Sequence, residues 1–94
     1  MQQPTITSNV NEAIEGDLIT LKCETATKEA TRYKFYKDTV QLTSATMNTF
    51  TIPKASLDSD NGKYTCIAYF ENVPSKQSTA FSLLGKIILS HLLI

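Results

Sequence analysis

The chain has no tryptophan, one histidine, two cysteines, three glycines and three prolines in 94 residues. Each scarcity removes a class of function. Gly16, Gly62 and Gly85 stand alone, so no glycine-rich loop exists to cradle a phosphate. His91 lies in the apolar C-terminal stretch, far in sequence from both cysteines, and offers no base held beside a nucleophile by a rigid scaffold. A zinc site needs a cluster of ligands that the chain does not supply. Nine basic and nine acidic residues cancel, and the basic ones are lysines spread along the chain apart from Arg32. That leaves no electrostatic footprint for nucleic acid and no basic patch for a membrane surface. The expectation is a protein without cofactor, metal or catalysis.

Long apolar runs are also missing. Residues 87–94 are rich in Ile and Leu, but a bilayer span needs about twenty such residues. The tail, 86–94, reads as a strand extension, the start of a truncated membrane segment, or a remnant of recombinant expression. The opening "MQQPTITSNV" has neither a basic n-region nor an apolar h-region, so a secreted parent would have lost its signal peptide. No N-x-S/T sequon occurs. Residues 1–85 are expected to form one domain with a single modest core.

What is present is β-structure. Threonine is abundant, helical periodicity is scarce, and β-formers fall in short alternating runs. "PTITS" (4–8) and "VNEAI" (10–14) read as a broken first strand, turning at Glu15-Gly16-Asp17. "LITLKCE" (18–24) sets Ile19, Leu21 and Cys23 on one face. "RYKFYKD" (32–38) sets Tyr33 and Phe35 on one face and Lys34 and Tyr36 on the other. "VQLT" (40–43), "TFTIP" (49–53), "GKYTCIAYF" (62–70) and "KQSTAFSLL" (76–84) complete the strands. "KASLDSD" (54–60) reads as a single helical turn with Leu57 in the core, and "ENVPS" (71–75) as a loop. In that turn Asp58 and Asp60 suit capping better than calcium. Seven or eight short strands predict an all-β, antiparallel sandwich with Greek-key topology.

Cys23 and Cys66 each fall on the apolar face of an expected strand. If those strands lie in opposite sheets, the two side chains meet across the core as a disulfide; the alternative is a pair of buried free thiols. "DSDNGKYTC" (58–66) adds a second signal. Tyr64 and Cys66 share a strand face, and a buried tyrosine needs a partner for its hydroxyl. The pair Asn61-Gly62 is expected to take positive φ as the chain enters the strand.

The pattern Asp60-x-Gly62-x-Tyr64-x-Cys66, with Cys23 in "GDLITLKC", resembles the surroundings of the two cysteines in immunoglobulin domains, over roughly residues 4–84. The resemblance implies a tyrosine corner, in which the Tyr64 hydroxyl reaches back to backbone near the preceding turn. Where that family usually carries tryptophan on its third strand, this chain has Phe35. The cysteine spacing fits a C2-type or I-type domain. "YKFYKD" and "FTIPKASLDSDNGKYTC" look most like Fc receptor and Fc-receptor-like domains.

Function is then expected on a surface. Tyr36, Ile67 and Tyr69, with Thr65, would share the solvent side of the strands bearing Phe35 and Cys66, and Arg32 stands beside the first loop. Aromatic side chains there suit a protein contact. The resemblance also offers the loops 25–31, 44–48 and 71–75. It implies a recognition or spacer domain in the ectodomain of a cell-surface, immune-type receptor. The partner would be a protein ligand, either an immunoglobulin or another cell-surface protein, and the membrane would be reached only through an anchor outside this sequence. Two rivals stay open: a homophilic adhesion domain acting as a homodimer, and a cytosolic I-type domain of a modular filament protein with both cysteines reduced.

Overall fold

The computed structural model describes residues 3–26, 30–43, 45 and 47–88. Among them the chain forms short strands and no helix. One sheet has the order β1-β3-β6, from β1 (Thr5–Ser8), β3 (Ile19–Glu24) and β6 (Thr49–Ile52). The other joins β5 (Val40–Leu42), β4 (Arg32–Lys37) and β7 (Lys63–Phe70), with β8 (Val73–Pro74) and β9 (Phe81–Ser82) both on the far edge of β7. These pairings are antiparallel. A short parallel pair, β2 (Ala13–Ile14) with β10 (Ile87–Ile88), completes the fold.

Period-two sequence explains the layers. Along β3, Ile19, Leu21 and Cys23 are buried while Lys22 and Glu24 are exposed. Along β7, Tyr64, Cys66 and Ala68 turn inward. The inward faces meet in one core, and Cys23 bonds to Cys66 across it with a Cα–Cα distance of 6.2 Å. The bond joins positions 43 apart in sequence. By the chain-entropy estimate, closing a loop of that length contributes about 4 kcal/mol. Phe35 is opposite Cys66 in register and fully buried, its ring 6.0 Å from that of Phe50. Phe50 in turn lies 6.4 Å from Tyr64, so three tilted rings stack beside the disulfide in a chain without tryptophan.

The Tyr64 hydroxyl donates to the Asp60 carbonyl at 2.7 Å. Asp60 Oδ2 accepts from the Ser56 N–H, and the Asp60 N–H donates to the Ser56 carbonyl, closing a single α-turn. Leu57 packs half-buried against the core from that turn. Gly62 departs from the expected reason for its presence, because neither it nor Asn61 has positive φ. The glycine is needed for space: a Cβ there would lie 2.6 Å from Asp38 Oδ2, whose carboxylate accepts the Lys63 N–H through Oδ1.

Two expectations at the C-terminal end also change. Residues 71–75 are not a loop but a hairpin, with Glu71 and Asn72 both at positive φ (52° and 76°) between β7 and β8. Such a two-residue turn matches the twist of the strands it joins. The expected strand over 76–84 shrinks to Phe81–Ser82. Before it, Ser75 and Ser78 are buried and their hydroxyls accept the N–H groups of Ala68 and Cys66 at 3.0 and 2.9 Å. Side chains thus supply acceptors that a regular strand would supply from its carbonyls. Finally, Ile87 and Ile88 of the tail pair with Ala13 and Ile14, and Ile87 is buried. His91 lies outside the described residues.

Candidate binding surface

The alternation that buries Phe35 and Cys66 fixes what the other side of the same strands displays. In register, Arg32 stands opposite Tyr69, Lys34 opposite Ile67, and Tyr36 opposite Thr65, with Gln41 of β5 beyond Tyr36. Partners in an antiparallel pair share a face, so these side chains form one patch. Tyr36, Ile67 and Tyr69 are half-buried within it, and Arg32 is exposed.

The patch is organised by its cations. The Arg32 guanidinium lies 4.2 Å from the centroid of the Tyr69 ring, and Lys34 Nζ lies 5.1 Å from it. Arg32 also reaches Asn72 Oδ1 at 3.4 Å, which ties it to the hairpin turn. The ring quadrupole attracts both cations and limits their freedom. No acidic residue stands among these register partners. At the opposite margin Gln77 Nε2 donates to Thr65 Oγ1 at 2.7 Å and roofs part of the strand. A cationic, aromatic surface of this kind is chemically suited to carboxylates and apolar side chains.

The sequence-derived candidates Arg32, Tyr36, Ile67 and Tyr69 therefore stand on one face. Lys34 belongs with them, and the alternation in "RYKFYK" carries the signal for it. The loop candidates fare differently. Residues 27–29, 44 and 46 lie outside the described residues, and 71–75 forms the tight hairpin. Asp60, Gly62 and Tyr64 are assembled at one end of the sandwich, in a structural corner. There burial first, then the nearby Asp60 and Asp38 carboxylates, hold the Tyr64 phenol well above the ordinary tyrosine range. Among the described residues no cluster of His, Cys, Asp or Glu could hold a metal, and no helix is long and apolar enough to cross a membrane.

A family profile described as "Immunoglobulin domain" matches residues 3–83. No curated protein matches the chain.

Proposed function

Since the chain belongs to the immunoglobulin-domain family, a group of protein-interaction domains, we propose that it is a non-catalytic recognition or spacer domain. Its setting is the ectodomain of a cell-surface, immune-type receptor resembling the Fc-receptor-like group. The face of β4 and β7 is its contact surface, and its ligand is a protein presenting carboxylates, such as an immunoglobulin or another cell-surface protein.

One observation carries the reading: two cations held over Tyr69 on a face without acidic register partners. The Cys23–Cys66 bond supports an extracellular setting, because oxidising compartments preserve disulfides. It weighs against a cytosolic filament domain with reduced thiols. Homophilic stacking of this face on its own copy is disfavoured, because an isologous contact sets the patch against itself and its register partners include no carboxylate to receive Arg32 and Lys34.

The test is binding of the folded chain to immunoglobulin G and to a panel of cell-surface ectodomains, at low and high salt. Arg32→Ala and Tyr69→Ala are expected to keep the fold and to weaken a detected contact about tenfold or more, as a central aromatic or arginine anchor does. If both variants bind every panel member as the parent does, this surface is not the contact.

A further inference from the structure

Among the described residues both sheets end in an open edge on the same side of the sandwich: β5 closes one sheet and β6 the other. The opposite side is covered by the returning chain, where Gln3 Nε2 donates to the Gln77 carbonyl and β10 pairs with β2. Between the open edges lies a cleft of about 420 Å³, walled by Val40, Leu42, Phe50 and Tyr64 and, toward the corner, by the polar Lys37, Asp38, Ser59 and Asp60.

Open edges are ordinarily protected by charge, because an inserted lysine or carboxylate cannot be buried between paired strands. Here residues 39–53, which contain both edge strands, include no Asp, Glu, Lys or Arg. The ladder shows which groups are on offer. The Cys23 N–H donates to the Asn48 carbonyl, so closely bonded pairs of β3 and β6 fall at Cys23–Asn48, Leu21–Phe50 and Ile19–Ile52. Thr49 and Thr51 lie at the intervening positions, and their backbone N–H and C=O groups point away from β3 toward the open side. β5 offers less. It spans only Val40–Leu42, and the charged Lys37 and Asp38 lie just before it, with Thr39 between, at its turn.

We infer that the β6 edge pairs with the same edge of a second copy of this chain, across a two-fold axis through Phe50, merging the β1-β3-β6 sheets into one. The segment Thr49-Phe50-Thr51 reads the same in both directions. An antiparallel pairing centred on Phe50 therefore sets each Thr49 against Thr51 of the other copy, and the outward groups of each satisfy those of its counterpart. Thr–Thr pairs are favourable cross-strand neighbours. The contact is isologous, the strands bring no like charges together, and the chain has zero net charge to oppose the approach. Pro53, which lacks an N–H, ends the ladder on that side. This edge is separate from the β4–β7 face, so either proposal can fail alone.

Sedimentation velocity across a concentration series, with backbone amide exchange at both ends of the range, tests it. A monomer–dimer equilibrium is expected, with Thr49 and Thr51 amides protected only at high concentration. Thr51→Pro removes an outward N–H without touching the β3 ladder. By symmetry two hydrogen bonds are lost, weakening the dimer about thirtyfold. Thr51→Lys, which keeps every backbone group, is expected to weaken it comparably and guards against misfolding of the proline variant. A strict monomer at millimolar concentration overturns the proposal. So does a dimer that withstands Thr51→Lys, or one in which Thr49 and Thr51 exchange equally fast at all concentrations.

Discussion

Gly62→Ala tests the account of the corner most directly. The added Cβ would sit 2.6 Å from Asp38 Oδ2 and 3.0 Å from Lys37 Cε. Lysine can swing aside by giving up its exposed bond from Nζ to the Ser59 carbonyl. The Asp38 carboxylate cannot do so freely, since Oδ1 holds the Lys63 N–H at 3.0 Å. Relief of the clash therefore loses that hydrogen bond or strains the turn, and overpacking of this kind costs about 2 kcal/mol. Against it stands the reduced freedom of the unfolded chain, which favours alanine by about 0.5 kcal/mol. The net expectation is a loss of roughly 1.5 kcal/mol. Asp38→Gly removes the obstructing carboxylate and suits the positive φ of 49° at that position. In that background Gly62→Ala should be neutral or slightly stabilising. Guanidinium denaturation of all four proteins, with the disulfide intact and circular dichroism as the probe, gives the cycle. An equal cost in both backgrounds would refute the steric account and return the glycine to a backbone requirement.

Tyr64→Phe is expected to cost about 1–2 kcal/mol by leaving the Asp60 carbonyl without its donor. The phenol has a raised pKa when folded, so its contribution is complete below the unfolded tyrosine pKa of about 10 and is lost as pH rises toward the folded value. Alkaline denaturation should accordingly be shallower in Tyr64→Phe than in the parent; an unchanged profile would remove Tyr64 as its source. Ser78→Ala is expected to destabilise by about 1–3 kcal/mol, because it strands the buried Cys66 N–H. Amide exchange at Cys66 should accelerate, and unaltered protection there would show that another acceptor takes over.

Strands β3, β6 and β7 were legible because each has one face in the core, and burial imposes a period of two on residue choice. The same alternation located the surface patch: once Phe35 faces inward, Arg32, Lys34 and Tyr36 face outward. The stretch after β7 was not legible, for a different reason in each part. Glu71 is an uncommon residue for positive φ, so the turn carried no recognisable signature. Ser75 and Ser78 look like ordinary polar residues, and only the fold brings their hydroxyls to the amides of Ala68 and Cys66. The role of Gly62 depended on Asp38, which lies well before it in the chain and meets it only in the folded state.

The parallel pairing of β2 with β10 has a mechanical consequence. Tension applied to the two ends of the chain, once β1 has come away from β3, draws these strands past each other along their length. The bonds from Ala13 N–H to the Lys86 carbonyl and from Glu15 N–H to the Ile88 carbonyl then resist together in shear. An antiparallel hairpin pulled from its open end would instead surrender its bonds one at a time. Once the pair slips, the covalent tie between Cys23 and Cys66 keeps the chain between them from extending. The domain thus has a stiff latch near its termini and a fixed limit to how far it can be drawn out.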